Sequence, residues 1–409
     1  MTVGTPPFEW IEGGVTAVPG VFAAGLHCGI KPTPARDLAL VYSSVPATAA
    51  GVFTTNRIQG APVKLSRERL RAGVAQAIVA SSGCSNVCTG EQGLRDAREM
   101  TEVVAQQLRI PEGRVLVAST GIIGRYLPMD RIRPALPKLV KALSPEPAGS
   151  RHAAEGIMTT DTHPKEAALR VETGGRPITI GAISKGTGMI HPMMATMLCF
   201  VATDLTVALD ALGAALRRAV NGSFNRISVD GDRSTSDTVV ILANGLAENR
   251  ALARGDRRLR VFQQALDALT QRLAVMQVRD GEGATLVFDV QVRGAKTRRD
   301  AETAARAIAN SPLLKTAMAG RDPNWGRVMA ALGASGVAAQ EDRIGIWYGE
   351  EQVAAGGKPK DGVRWERVKA ELAKGEVTLI VDLGLGAAQD HVWTCDLTEE
   401  YVKINAGTS

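Results

Sequence analysis

The 409-residue sequence lacks any run of about 20 apolar residues, the length that a membrane-spanning helix requires. Its first residues include Glu9 and Glu12, where a signal peptide would have an apolar stretch. Only five cysteines occur, and this odd, scattered set does not fit a disulfide framework. We therefore expect a protein of the reducing cytoplasm with no membrane partner.

Patterns that bind metals, dinucleotides or nucleic acids are also missing. The five histidines lack the spacing of zinc sites, and Cys84 and Cys88 have no second cysteine pair. Gly186-Thr187-Gly188 lacks the third glycine of a dinucleotide fingerprint. The net charge is +6, but the basic residues are interleaved with Asp and Glu, and aromatics are only 4%. We expect no metal, no bound cofactor and no nucleic-acid partner.

The composition is that of a soluble α/β protein, with 45% hydrophobic and 22% charged residues. The length predicts more than one packed unit. We place a boundary near Gly281, which gives domains 1–280 and 281–409. Hydrophobic periodicity predicts several of their elements: helices at 91–108, 128–143, 209–220, 259–275 and 301–309, strands at 37–43, 51–55, 114–118 and 197–203, a hairpin of 166–172 with 177–184, a turn at 119–124 and a loop at 144–149.

The residues leave one route to an activated nucleophile. No G-x-S-x-G elbow occurs, and Cys199 lies in an apolar run that favours a buried thiol. A threonine whose own α-amine serves as base needs a free N-terminus, which an internal threonine acquires only by cleavage of the chain.

Residues 185–203, KGTGMIHPMMATMLCFVAT, resemble the cleavage segment of the ornithine acetyltransferase family, also called glutamate N-acetyltransferases. Further runs resemble family signatures in the family's order, so the resemblance covers almost the whole chain. They are 45–56 (VPATAAGVFTTN), 119–124 (STGIIG), 158–162 (MTTDT), 279–285 (RDGEGAT), 322–327 (DPNWGR) and 393–398 (WTCDLT).

The resemblance implies an α/β fold, an αββα-type sandwich of the aminopeptidase/ornithine acetyltransferase kind with a smaller C-terminal α/β domain. It implies self-cleavage between Ala195 and Thr196, followed by acetyl transfer from N-acetylornithine to glutamate through Thr196 in a ping-pong reaction. The oxyanion donors it implies are the Thr120 hydroxyl and the Gly121 N–H. It also implies an assembly of α and β chains from one precursor as α2β2. The substrate-binding residues by matching motif are Thr162, Lys185, Thr196, Glu282, Asn405 and Thr408.

Some positions depart from the family pattern, among them 81–86 (SSGCSN), Met193, Arg233, Ser236 and Leu286. Thr408 is taken for a terminal family threonine whose usual position would fall beyond Ser409. Three questions stay open at this point: whether acetyl-CoA is a co-substrate, whether water replaces glutamate as in a self-processing N-terminal-nucleophile amidase, and whether the chain is an uncut, non-catalytic binding protein.

Overall fold

The structure is a computed structural model that describes residues 8–173, 175–191 and 197–407. These residues form two compact units. Of the described residues, the larger unit contains 8–173, 175–186, 197–225 and 233–274, and the smaller contains 187–191, 226–232 and 275–407. The domain boundary at 280/281 remains a prediction.

The strands of the described residues are β1 (Phe8–Ile11), β2 (Val21–Leu26), β3 (Leu38–Phe53), β4 (Val74–Cys84), β5 (Val115–Ile122), β6 (Lys165–Thr173), β7 (Arg176–Lys185), β8 (Leu198–Thr203), β9 (Ile227–Ser228), β10 (Thr238–Ala243), β11 (Val287–Ala295), β12 (Gly345–Tyr348), β13 (Glu351–Ala355), β14 (Lys358–Pro359), β15 (Glu376–Asp382) and β16 (Ala388–Cys395). The helices are α1 (Ala61–Arg69), α2 (Gly90–Leu108), α3 (Met129–Lys141), α4 (Pro147–Ile157), α5 (Leu209–Asn221), α6 (Leu259–Arg279), α7 (Arg298–Ala309), α8 (Pro312–Ala319), α9 (Trp325–Ala334), α10 (Trp365–Ala373) and α11 (Glu399–Ala406).

In the larger unit the strands join in the order β1-β6-β7-β8-β10-β3-β4-β5, and β2 also pairs with β3. One apolar core contains side chains of α4 together with side chains from β2, β3, β4, β5, β7, β8 and β10. A second core packs α1, α2 and α3 on the opposite side of β3, β4 and β5. The expected α/β sandwich is thereby confirmed.

The smaller unit is built on a second sheet, in the order β14-β13-β12-β15-β11-β16-β9. Its core consists mainly of Val, Leu, Ile and Ala side chains from the strands and from α7, α8, α9 and α10, together with Phe288, Met318 and Tyr348. The expected smaller C-terminal α/β unit is therefore also confirmed. Among the described residues, no helix has both the length and the apolarity needed to cross a membrane.

Three local predictions were wrong. The loop predicted at 144–149 is helical from Pro147, because proline at the first helical position lacks an N–H that would be unbonded there anyway. The turn predicted at 119–124 begins later, since β5 continues to Ile122 by pairing with β4. The two strands predicted at 37–43 and 51–55 are one strand, β3, with a register irregularity between Tyr42 and Ala47.

Candidate active site

The predicted cleavage site lies outside the described residues, as do Ala195, Thr196 and Thr408. Met197, which is covalently attached to Thr196, donates its N–H to the Asp237 carboxyl group at 3.0 Å. Leu198 then begins β8, between β7 and β10 in the sheet. Burial raises the pKa of Asp237 to about 8, although the Met197 N–H bond and the charge of Lys185 act in the opposite direction. The chain directly after the predicted nucleophile is thus fixed by a buried carboxyl group.

The segment before the cleavage site is anchored by a second carboxylate, Asp230, within the smaller unit. Its two oxygens accept the N–H groups of Met189 at 2.5 Å and Ile190 at 2.9 Å. Tyr401 donates its hydroxyl to the same group at 3.3 Å. Burial raises the pKa of Asp230, while the N–H groups of Met189 and Ile190 act in the opposite direction. The described residues that flank 192–196 are therefore held on both sides.

Thr120 and Gly121, the predicted oxyanion donors, lie at the end of β5. The Thr120 side chain is buried, and its hydroxyl has no hydrogen-bond partner among the described residues. Gly121 is exposed and has φ +126°, a conformation that favours glycine. A Cβ at Gly121 would lie 2.4 Å from the carbonyl carbon of Gly83, its partner in β4. Close packing of two backbones therefore requires glycine beside the unpartnered hydroxyl.

Lys185 belongs to a buried charge cluster centred on Asp161. One Asp161 oxygen accepts from Lys165 Nζ at 2.7 Å and from the Gly186 N–H at 2.9 Å. Lys185 Nζ donates to the Thr159 hydroxyl at 2.7 Å and lies 3.9 Å from Asp161. Burial alone would raise the pKa of Asp161, but Lys185, Lys165 and the hydrogen bonds lower it to about 2. The carboxylate is therefore ionised, and it holds two lysines that are both buried.

Thr162 follows Asp161 directly and is exposed, with its hydroxyl 3.0 Å from His163 Nδ1. Thr162 thus lies one residue along the chain from Asp161, which is the centre of the cluster that contains Lys185. The motif predicted both positions, whereas the roles of Asp161 and Lys165 were missed. The sequence did contain a signal, since Asp161 lies inside the 158–162 signature.

Glu282 and Asn405 are brought together in the smaller unit. Asn405 Nδ2 donates to Glu282 Oε2 at 2.7 Å and to the Tyr401 carbonyl at 3.0 Å. The Glu282 N–H donates to the Thr187 carbonyl at 2.9 Å, and a Cβ at Gly188 would lie 2.5 Å from the Glu282 carboxylate. A carboxylate and an amide in this arrangement offer acceptors to an ammonium group.

The segment 81–86, which departs in part from the family pattern, forms hydrogen bonds inside the larger unit. The Ser81 hydroxyl lies 2.8 Å from that of Ser119, and Ser82 donates to the Gly156 carbonyl at 2.8 Å. Asn86 donates to the Gly93 carbonyl at 2.8 Å. These buried groups are satisfied within the fold. In the described part of the chain, no group of three or more His, Cys, Asp or Glu side chains is arranged to hold a metal.

Comparison with known proteins gives a consistent family. Residues 22–408 match the model of the ArgJ family. The arginine biosynthesis bifunctional protein ArgJ of Symbiobacterium thermophilum is 51% identical over 97% of this chain and 98% of the relative. The protein of the same name from Geobacter sulfurreducens is 46% identical over 95% of this chain and 98% of its own length. A crystal structure of ornithine acetyltransferase complexed with ornithine, from Mycobacterium tuberculosis, is 38% identical, covering 45% of this chain and 98% of that chain with a TM-score of 0.43.

The family match covers nearly the whole chain, and the relatives agree with it along almost their full length. The resemblance to the ornithine acetyltransferases is therefore confirmed, and the chain belongs to the ArgJ family of arginine biosynthesis enzymes.

Proposed function

We propose that this chain cuts itself between Ala195 and Thr196 and then transfers an acetyl group from N-acetylornithine to glutamate through Thr196. Family membership makes it an acyltransferase of arginine biosynthesis. The observation that carries the residue-level proposal is the end of β5. There, a buried hydroxyl without a partner among the described residues stands beside a glycine that close backbone packing requires.

Cleavage would place the base and the nucleophile on one residue. The freed Thr196 α-amine has an unperturbed pKa of about 7.7–8.0, so a fraction is neutral near pH 7 and takes the hydroxyl proton. The Thr196 oxygen attacks the acetyl carbonyl, the C–N bond breaks, and the ornithine amine leaves with a proton returned by the ammonium. The glutamate amine then attacks the acetyl ester, which releases N-acetylglutamate and restores the Thr196 hydroxyl.

Both steps pass through a tetrahedral oxyanion, for which the Thr120 hydroxyl and the Gly121 N–H supply donors. Donors fixed before the reaction need no reorganisation when charge develops, and losing one costs about 2.7–4 kcal/mol. A hydroxyl that already had an internal acceptor would be a poorer donor for this purpose. The unpartnered Thr120 hydroxyl suits the role.

For substrate binding, Lys185 and Thr162 contact the carboxylate side of the amino acid, with Thr196 and Thr408 as further contacts. Glu282, with Asn405, binds the side-chain ammonium of ornithine. An ammonium and a carboxylate form charge-assisted hydrogen bonds, which are shorter and stronger than neutral ones. The Glu282 assignment follows from charge.

We extend the proposal to acetyl-CoA as a second acetyl donor, because the curated relatives are named bifunctional. Acetylation of Thr196 by a thioester gives the same acetyl ester, so only the first half-reaction differs. We further propose that the two fragments assemble as α2β2 and that the protein works in the cytoplasm.

Three assays on purified protein test the proposal. Ornithine release from N-acetylornithine is measured with and without glutamate, and N-acetylglutamate is measured with acetyl-CoA as the donor. Thr196→Ala is expected to abolish both chain cleavage and transfer, while Thr316→Ala, an exposed threonine of α8, leaves both unchanged. Ornithine release that ignores glutamate would instead indicate an amidase. Active protein that stays a single 43.1 kDa chain would exclude a threonine freed by cleavage.

A further inference from the structure

The loop before β3 is fixed by a buried carboxylate. Asp37 accepts the N–H groups of four consecutive residues: Cys28 at 2.7 Å, Gly29 at 3.0 Å, Ile30 at 2.8 Å and Lys31 at 3.2 Å. Asp37 is buried, and His27 Nδ1 lies 3.2 Å from it. The backbone of Lys31 is therefore held in place, so its side chain starts from a fixed point.

The Lys31 side chain packs beside the paired ends of β4 and β5, where the predicted oxyanion donors lie. A Cβ at Gly83 would lie 3.1 Å from Lys31 Cγ, and Gly83 is the register partner of Gly121. Lys31 Nζ donates to the Arg36 carbonyl at 2.6 Å. Among the described residues, no carboxylate forms an ion pair with Lys31 within 4.0 Å. The aliphatic stem is thus packed beside the predicted oxyanion donor, and the charge lacks a direct counterion.

The same ammonium group lies in the electrostatic field of the Asp161 cluster. Burial and, to a smaller extent, the charge of Lys185 lower the pKa of Lys31 to about 8, against the opposing effects of Asp37 and Asp161. Asp161 and Lys185 therefore both lie within electrostatic range of the Lys31 ammonium group. Asp37 is the other carboxylate that acts on Lys31, and it is already bonded to four N–H groups. The Lys31 ammonium group, which has no ion-paired carboxylate within 4.0 Å among the described residues, is suited to bind an anionic ligand.

We propose that Lys31, together with Lys185, binds the α-carboxylate that N-acetylornithine and glutamate have in common. This inference rests on the acetyl transfer proposed above. The α-carboxylate lies only a few bonds from the acetyl carbonyl, so a cation beside the Gly83–Gly121 strand ends suits it. A lysine offers three donors from a compact charge. Lys31 is a specificity-determining residue in this assignment, because it distinguishes amino acids from simple amines.

The test compares Lys31→Met and Lys31→Arg with wild type, using ligands with and without the carboxylate. N-acetylputrescine is N-acetylornithine without its α-carboxylate. Its inhibition constant, in competition with N-acetylornithine, can be measured whether or not the enzyme accepts it as an acetyl donor. In K31M we expect the KM for N-acetylornithine and for glutamate to rise by about tenfold or more, as for the loss of a charged hydrogen bond. The inhibition constant of N-acetylputrescine should stay unchanged. K31R should keep both KM values within a few-fold of wild type.

Lys64→Met serves as a matched control, since Lys64 is an exposed lysine of α1. Equal weakening of both ligands in K31M would assign Lys31 a structural role and overturn the proposal, as would an unchanged KM. If K31M does not yield folded, cleaved protein, Lys31→Gln gives the same comparison with a neutral, polar side chain. A wild-type protein without acetyl transfer would contradict the proposed function instead, so the two failures are distinguishable.

Discussion

Replacing Thr120 should affect catalysis without lowering the stability of the fold. Its buried hydroxyl has no partner among the described residues, so replacing it by a methyl group in Thr120→Val removes no described hydrogen bond. Removing an unsatisfied buried hydroxyl is neutral or stabilising. We expect T120V to lose about 100-fold or more in kcat, as for loss of an oxyanion donor. Its unfolding midpoint in urea should equal or exceed that of wild type.

Thr120→Ser is the control for this experiment, because it keeps the hydroxyl while removing the methyl group. Its kcat should remain far closer to wild type than that of T120V. A large drop in unfolding midpoint for T120V would show that the hydroxyl has a structural partner, and the oxyanion assignment would then lose its support.

If Lys31 binds the substrate carboxylate, kcat/KM should fall at high pH, where Lys31 loses its charge. A lysine is charged below its pKa, so carboxylate binding weakens as pH rises through about 8, the pKa to which burial lowers Lys31. The rising limb belongs to the Thr196 α-amine, which acts as a base only when neutral. Asp37, Asp161 and Lys185 are the charged groups that act on Lys31, and Asp161 is ionised throughout since its pKa is about 2.

Lys31→Arg tests whether Lys31 causes the fall of kcat/KM at high pH, because arginine stays charged over the whole pH range. The K31R profile should remain high above pH 8, where wild type falls. Asp237 ionises in the same range, with a pKa raised to about 8 by burial, but K31R leaves that group in place. Identical profiles for K31R and wild type would exclude Lys31 as the source of the limb.

The sequence-based reasoning named candidate reactive residues, but it did not name the groups that hold the chain around them. Thr120 and Gly121 came from a motif, and without it they would pass for an ordinary strand end. Asp237 and Asp37 had no recognisable signal, because their function depends on which backbone N–H groups the fold brings to them. Asp237 meets Met197 from 40 positions away in the chain. Such contacts depend on strand register, which residue periodicity does not specify.

The pairing of β4 with β5 makes Gly121 the most sensitive backbone position of the predicted site. Gly121→Ala would place a Cβ 2.4 Å from Gly83 C and 2.7 Å from Cys84 N, both of which belong to backbone. The strand ends must then separate, and the left-handed φ of +126° adds strain. We expect G121A to lose at least about 100-fold in kcat, since a donor displaced by the strand shift resembles a donor removed.

A matched substitution is Gly124→Ala, just beyond β5, where a Cβ meets nothing within 4 Å although φ is +82°. Both variants carry the strain of a positive φ, so the difference between them measures the backbone clash at Gly83. Activity of G124A should stay within about tenfold of wild type. Equal activity in the two variants would mean that the β4–β5 contact does not position the donor.

Helices and strands with strong hydrophobic periodicity were predictable, whereas the full length of a strand that depends on pairing with its neighbours was not. The helix predicted at 91–108 corresponds to α2, whose buried positions include Ala97, Met100 and Val104 on one face. The hairpin of β6 and β7 also formed as predicted. β3 was predicted as two strands because its middle, at 46–50 (PATAA), lacks bulky apolar residues. Its continuity comes from pairing with β2, β4 and β10, which the sequence of β3 alone does not contain.

The sheet of the larger unit joins the two fragments that cleavage would create. β8 and β10 follow residue 196, and in the sheet they lie between β7 and β3, which precede it. β8 pairs antiparallel with β7, and β10 pairs antiparallel with β3. Cleavage between Ala195 and Thr196 breaks one peptide bond but leaves both ladders intact. The fragments are therefore held by two strand interfaces and by the core that β7, β8 and β10 share with β4 and β5.

This interleaving predicts that processed protein behaves as one particle. In gel filtration without denaturant, both fragments should elute in a single peak, and they should separate only in urea or guanidinium. Residues 1–195 expressed alone would leave β7 and β3 with unpaired, apolar edges, which promote aggregation. We expect that fragment to be insoluble, and co-expression with residues 196–409 to restore soluble protein. A soluble 1–195 fragment with a cooperative unfolding transition would contradict this, because the central strands would then be dispensable for the sheet.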